Sequence, residues 1–157
     1  MTTPTYNRLN KDDAIVLLVD HQTGLISLVQ DFSPNEFKNN VLALADLAKF
    51  FELPTILTTS FEQGPNGPLV PELKEMFPDA PYIARPGQIN AWDNEDFVKA
   101  IKATGRKQII MNQNPLSCYQ CIFMYLYCRR PIFQIIRLLH SFIWQFSSLS
   151  DWYKRHI

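Results

Sequence analysis

The first 111 residues predict an α/β fold built on a parallel sheet. Short apolar runs alternate with segments of helical spacing, in the order strand, helix, strand, helix, strand, helix, strand. The connections between these segments are short, which favours right-handed crossovers between parallel strands. A chain of 157 residues is long enough for a single domain whose sheet is covered on both faces.

The first strand and the first long helix have clear signals. Residues 14–19 (AIVLLV) are a continuous apolar run, typical of a strand buried on both faces, and Asp20 closes it. Ser33 is a predicted N-cap, with Pro34 at the first helical position and Glu36 completing a capping box. Apolar side chains then recur at helical spacing towards Glu52: Phe37, Val41, Leu44, Leu47, Ala48 and Phe51.

The later elements continue the alternation. Residues 55–60 (TILTTS) predict a second strand. Residues 64–68 (GPNGP) predict a loop, because two prolines and two glycines in five residues disfavour both helix and strand. That loop also lacks the Gly-Lys-Thr/Ser ending of a phosphate-binding loop. The remaining predicted elements are a short helix, a short strand, a helix capped by Asn94 and a fourth strand, at residues 71–77, 82–84, 95–103 and 107–111.

The composition changes at about Met111. The five amino acids whose codons begin with G (Ala, Val, Gly, Glu, Asp) occupy 34 of the first 111 positions, but only Asp151 among the last 46. Genuine reading frames are rich in such codons. We therefore predict an evolved globular domain over residues 1–111 and a divergent tail over residues 112–157, produced by a frameshift or a retained intron. The tail has no clear strand or helix pattern, so the sheet is expected to be incomplete on its C-terminal side.

Charge and hydropathy restrict the partners. The formal net charge is zero, yet the tail carries five basic residues against one acid. A basic tail could contact nucleic acid or a membrane. We prefer the simpler interpretation that loss of G-initial codons removes acids automatically, and we predict neither partner. No signal peptide is evident, and polar residues interrupt the most apolar stretch, residues 131–144, so the cytosol is the predicted compartment.

All three cysteines, Cys118, Cys121 and Cys128, lie in the tail. The Cys-x-x-C spacing of the first two could form half of a zinc site. The sequence has no second pair, and His140 stands at no recognised spacing from it. No metal site is predicted.

Polar residues end three of the predicted strands. Asp20 follows the first, residues 60–62 (SFE) end the second and Arg85 ends the third. In open parallel sheets the active site lies at the carboxyl ends of the strands. Asp20 is either a general base or metal ligand, or the N-cap of the next segment, and Arg85 is either an anion clamp or a salt-bridge partner of Asp20. His21 is expected to point away, since neighbouring strand-end residues alternate in direction.

Three long segments carry a resemblance to a known family. They are DDAIVLLVDHQTGL, FKNNVLALADLAKFFELPTILTTSFEQGPNGPLVPEL and DAPYIARPGQINAWDNEDFVKAIKATGRKQII. Together they resemble the isochorismatase-like cysteine hydrolases over roughly residues 5–111. The resemblance implies a Rossmann-like three-layer α/β/α fold, a small-molecule substrate, a homo-oligomer and no cofactor. The metal-binding Asp-x-His-x-His of nicotinamidases has no counterpart here, so no metal is implied.

The resemblance also implies site residues. The family uses an Asp, a basic residue and a nucleophilic Cys, and Asp20 matches the Asp that takes the thiol proton. Arg85 stands where most members have Lys, and this replacement keeps a fixed positive charge at that position. Asn90 and Trp92 fall in a segment that lines the substrate pocket.

The nucleophile is the point of departure from the family. Members follow the fourth strand with a Gly- and Val-rich turn, a Thr and a Cys that opens a helix. Counting without gaps from Gly105 places that Cys at position 119, where Tyr119 stands, and Cys118 is one position away. Cys118 is therefore either the catalytic nucleophile or a cysteine placed there by chance.

Two functions remain open. The first is a cysteine hydrolase of small C–N (amide-like) or related bonds, with activity impaired by the loss of the nucleophile region. The alternative is a non-catalytic paralogue whose aromatic tail mediates oligomerisation or partner binding. The tail has 10 aromatic residues in 46, and four apolar side chains are spaced as a helix face: Ile132, Ile136, Leu139 and Ile143.

Overall fold

The computed structural model describes residues 8–29, 33–113 and 134–137, the last four by their backbone alone. Within these residues five parallel strands form one sheet in the order β3-β2-β1-β4-β5. The strands are β1 (Ala14–Val19), β2 (Thr55–Ser60), β3 (Tyr82–Arg85), β4 (Gln108–Gln113) and β5 (Gln134–Arg137). The helices are α1 (Thr23–Ser27), α2 (Pro34–Phe50), α3 (Pro71–Met76) and α4 (Glu95–Ala103). None of these helices is long and apolar enough to span a membrane.

Helices cover both faces of the sheet, so the predicted α/β fold with a parallel sheet is confirmed. β1 is central, between β2 and β4, and all six of its residues are buried. Because side chains alternate along a strand, Val16 and Leu18 pack against α2 and α3, whereas Ile15 and Leu17 pack against α4. The continuous apolar run of β1 follows from this two-sided burial.

The helix starts agree with the capping residues in the sequence. Ser33 caps α2, where its hydroxyl accepts from the Glu36 N–H at 3.2 Å, and Pro34 occupies the first turn. Asn94 caps α4, accepting from the Phe97 N–H at 3.0 Å. Helix α4 has the predicted bounds, and α2 ends at Phe50, two residues earlier than predicted.

The short helix α1 was not predicted. Five residues are too few to show helical periodicity, and its N-cap, Gln22, makes no side-chain cap bond. The helix lies against the predicted loop of residues 64–68, because the Gly24 N–H donates to the Asn66 carbonyl at 2.9 Å. A Cβ on Gly24 would overlap the main chain of that loop, so this contact requires glycine.

The sheet continues past Met111, although the sequence of the tail shows no clear strand pattern. β4 runs on to Gln113, and β5 pairs with it in parallel through Ile109 and Ile135. Two adjacent β-branched isoleucines favour an extended chain, and the free edge of β4 presents N–H and C=O groups that a strand can satisfy. In the proposed helix face only Ile136 is described, and it lies in β5; its other three members fall outside the described residues.

Candidate functional site

Asp20 and Arg85 form a buried ion pair at the carboxyl edge of the sheet. They follow or end β1 and β3, the two strands that flank β2. Arg85 Nη2 donates to Asp20 Oδ1, and the two residues are only 1% and 2% exposed. Of the two interpretations of Arg85, the salt-bridge partner of Asp20 is confirmed.

The Arg85 guanidinium is held through all three of its nitrogens. Nε donates to Thr58 Oγ1 at 3.1 Å, Nη1 to the Gln88 carbonyl and Nη2 to Asp20. Thr58 in turn donates its hydroxyl to the Ile83 carbonyl at 2.8 Å. An arginine stays protonated in proteins, so this arrangement places a fixed positive charge beside the Asp20 carboxylate.

The main chain leaves β1 through an unusual conformation at Asp20. Its φ is +59°, in the left-handed region, while its N–H still donates to the Thr58 carbonyl at 2.9 Å. Aspartate tolerates this conformation better than most residues. The helix that follows, α1, begins after Gln22, so the alternative interpretation of Asp20 as its N-cap is wrong.

A buried glutamine fixes the end of β2 next to the ion pair. Gln22 Oε1 accepts from the Ser60 N–H at 2.9 Å, and its Nε2 donates to the Ser60 carbonyl at 3.0 Å and to the Gly67 carbonyl at 2.5 Å. Ser60 Oγ then donates at 3.2 Å to the Gln88 carbonyl, which also accepts from Arg85. Sequence reasoning missed Gln22 and Gln88. A polar residue two positions after the strand-end Asp20 was the only available signal.

His21 points away from the ion pair, as predicted. The centroid of its ring lies 6.0 Å from the ring centroid of Phe37 in α2, and its Nε2 is 3.2 Å from the Asn112 carbonyl oxygen. Burial lowers the pKa of His21 to about 4, so the ring is neutral near pH 7 and Nε2–H can donate to that carbonyl. His21 thereby fastens the segment after β1 to the end of β4.

Glu62, the last of the polar residues predicted after β2, contacts Tyr82 and not Arg85. The Tyr82 hydroxyl donates to Glu62 Oε1 and lies 3.1 Å from Thr59 Oγ1. Burial first, and then the Glu62 carboxylate, raise the pKa of Tyr82 to about 12. Tyr82 is therefore a neutral donor that holds Glu62 against the edge strand.

Asn90 and Trp92 follow Arg85 by a few residues in the sequence, and their contacts are a turn cap and a packing contact. Asn90 caps a 3-10 turn, accepting from the Trp92 N–H at 3.2 Å and donating to Asp93 at 2.9 Å. The Trp92 ring is buried and packs edge-on against Phe97, with 5.7 Å between centroids. Their predicted role in substrate binding stays a prediction.

The third predicted catalytic residue, Cys118, lies outside the described residues, as does Tyr119. The structure therefore brings together two of the three residues, and the catalytic roles of all three stay predictions. Among the residues that are described, no group of three or more His, Cys, Asp or Glu side chains could hold a metal ion.

Comparison with known proteins identifies the family of this fold and site. The chain is 78% identical over 111 residues to the Escherichia coli (strain K12) protein named "Probable hydrolase YcaC", a match that covers 71% of this chain and 53% of that protein. A structure of YcaC from Pseudomonas aeruginosa, solved with hexane-2,5-diol and covalent acrylamide, is 79% identical with a TM-score of 0.69, over 71% of this chain and 55% of that chain. The E. coli YcaC crystal structure, described as an octameric hydrolase of unknown specificity, gives 61% identity and a TM-score of 0.75, over 86% of this chain and 66% of that chain.

More distant structures share the fold alone. An isochorismatase from Pseudomonas putida is 18% identical with a TM-score of 0.63, over 85% of this chain and 72% of that chain. No protein-family model matches the chain. Over its matched residues the chain belongs to the same family as YcaC, and its fold is that of isochorismatase-family structures. It spans about half the length of the curated relative it matches.

Proposed function

We propose that this chain carries the Asp–Arg half of a cysteine-hydrolase site for small C–N (amide-like) bonds, and that its activity is weak because the nucleophile region departs from the family. The buried ion pair of Asp20 and Arg85 carries the proposal. A buried charge pair is costly to desolvate, so it is weak evidence for a purely stabilising role. Its position at the carboxyl edge of a parallel sheet is the usual place for a site.

The two side chains have different capabilities, and these fix their proposed roles. Arg85 cannot release a proton, and three contacts hold its guanidinium in place. Its role is to supply a constant positive charge that favours the ionised form of neighbouring acids, including a thiolate. Asp20 is the member of the pair that can take up and return a proton.

The proposed reaction has two stages. Asp20 takes the proton from a cysteine thiol, and the thiolate sulfur attacks the carbonyl carbon of the substrate. The C–N bond breaks as that proton passes to the leaving nitrogen, which leaves a thioester. Water then adds to the thioester with Asp20 as the base, and the acid and the free thiol are released.

Cys118 is the proposed nucleophile. The covalent acrylamide in the P. aeruginosa relative supports a nucleophile in that protein, because acrylamide is an electrophile that thiols attack. In this chain the family position falls on Tyr119, so a nucleophile at Cys118 is displaced by one residue. A displacement of about 1 Å at a reacting atom can cost about 100-fold in rate, which is the reason for the weak activity proposed here.

Ammonia release from formamide, acetamide and benzamide tests the proposal. Asp20→Asn and Cys118→Ser should each abolish the release, and Arg85→Lys, which introduces the residue of most family members, should retain part of it. Cys128→Ser is the matched control and should change nothing. Release that survives Asp20→Asn would contradict the proposed base.

Alkylation of Cys118 by iodoacetamide gives a second measurement. A catalytic Cys118 should react at neutral pH faster than free cysteine, and Asp20→Asn should slow it. If no amide is hydrolysed and Cys118 reacts at the rate of free cysteine, the non-catalytic paralogue is the better description.

We also infer that copies of this chain associate in the cytosol. The E. coli relative is described as octameric, which supports a homo-oligomer. Light scattering on the purified chain tests this inference, and a monomer at micromolar concentration would contradict it.

A further inference from the structure

Three residues other than glycine have a left-handed main chain in the described part of the protein: Asp20, Glu52 and Phe61. Glu52 follows α2, where its N–H donates to the Lys49 carbonyl at 3.1 Å, an ordinary way for a helix to end. Asp20 forms the ion pair. Phe61 remains to be explained, because an aromatic side chain at φ +51° is strained where Gly or Asn would be comfortable.

The hydrogen bonds at Phe61 do not require a phenyl ring. Its N–H donates to the Arg85 carbonyl at 3.0 Å, and its carbonyl accepts from the Gly64 N–H at 3.0 Å. Both bonds are made by the main chain, so glycine would keep them. Core packing does not offset the strain either, since Phe61 is 49% exposed.

Gly64 shows that the position of the ring is itself specified. A Cβ on Gly64 would overlap the phenyl ring of Phe61, and Gly64 does not have a left-handed φ that would otherwise call for glycine. The strained main chain of Phe61 and the missing side chain of Gly64 therefore have the same effect. They hold an exposed ring against the turn after β2. Such departures from local preference are expected at functional sites.

We propose that the Phe61 ring is a binding platform at the rim of the Asp20–Arg85 site, and that it selects small amides with a planar apolar substituent. The inference rests on the proposed function for the location of the site. Phe61 follows Ser60, the last residue of β2, and its N–H donates to the carbonyl of Arg85. A planar group that stacks on the exposed ring gains aromatic contact that a small aliphatic amide lacks.

Binding of benzamide and acetamide to the full chain tests the proposal without requiring turnover. In Phe61→Ala and Phe61→Gly the affinity for benzamide should fall roughly 2- to 12-fold, while Phe61→Tyr keeps it. The affinity for acetamide should not change in any variant. Calorimetry or ligand-observed NMR measures both affinities.

The comparison of Ala with Gly separates binding from folding. Phe61→Gly relieves the left-handed strain and Phe61→Ala does not, so the Gly variant should melt about 2–8 °C higher than the Ala variant, yet both should lose benzamide affinity equally. No benzamide binding to the unsubstituted chain, or equal binding by all variants, overturns the proposal. So does a change of oligomeric state in both small variants, because the ring would then belong to a contact between copies. Ring-dependent binding without ammonia release upholds the platform and rejects the proposed hydrolysis.

Discussion

Replacing Arg85 by methionine should destabilise the chain strongly. The substitution removes the guanidinium that is paired with Asp20 and leaves that carboxylate in a site where it is 2% exposed. It also removes the donors to Thr58 Oγ1 and to the Gln88 carbonyl. Removing one partner of a buried ion pair costs about 3–5 kcal/mol. For a chain of 157 residues this corresponds to a fall in Tm of roughly 6–20 °C.

A double-mutant cycle separates the ion pair from the loss of packing. Urea unfolding followed by circular dichroism would compare Arg85→Met, Asp20→Asn and the double variant. In the double variant no charge remains buried, so its loss of stability should be smaller than the sum of the two single losses by about 0.5–3 kcal/mol. Additive losses, or a loss below about 1 kcal/mol for Arg85→Met, would refute the argument that this charge pair is interdependent.

Substitutions at three further positions test other parts of the structure. His21 has a pKa of about 4 in the folded chain against 6.5 for the ordinary group, so the unfolded chain binds the proton first as the pH falls. The free energy of unfolding should therefore decrease by about 3 kcal/mol from pH 6.5 to pH 4. In urea titrations at several pH values, His21→Gln should make this decrease correspondingly smaller. Equal slopes would contradict the burial of a neutral ring. Gln22→Leu leaves the Ser60 N–H and the Gly67 carbonyl without the Gln22 amide, while the Ser60 carbonyl keeps its bond from Asn66 Nδ2. Urea unfolding should show a loss of about 1–3 kcal/mol for each of the two groups, whereas Gln22→Glu should retain the bond from the Ser60 N–H. Ser33→Ala should cost about 1 kcal/mol through loss of the α2 cap, and Ser33→Asp should restore it; equal urea midpoints for all three chains would count against the cap.

Local signals predicted most of the fold. The strands are marked by apolar or β-branched runs, and α2 and α4 by a capping residue followed by helical spacing, so each could be assigned from its own segment. The short helix α1 was missed because five residues show no period, and its position depends on the loop of residues 64–68. The strand β5 was missed because four residues resemble a strand only when an edge is available to pair with them.

The ion pair could be predicted, but the network around it could not. Asp20 and Arg85 each stand at a strand end, and parallel strands bring their carboxyl ends to one edge of the sheet. The contacts of Gln22 and Thr58 depend on the strand register, which aligns Ser60 with Arg85 and Thr58 with Val19. Register is a property of the assembled sheet, and a residue that hydrogen-bonds a main-chain carbonyl leaves no sequence signature of its partner.

The same register explains why the tail decides the chemistry. Val19 pairs with Gln113, so the chain leaves β4 directly beside the end of β1, one residue from Asp20. The His21 contact with the Asn112 carbonyl holds that end in place. Cys118 is five residues beyond Gln113, and five extended residues span at most about 18 Å, so a nucleophile at this position has the reach to approach Asp20. Residues 14–113 thus bring the Asp20 carboxylate, which is the proposed base, the Arg85 cation and the end of β4 to one edge of the sheet. The residues after Gln113 determine whether a thiol joins them.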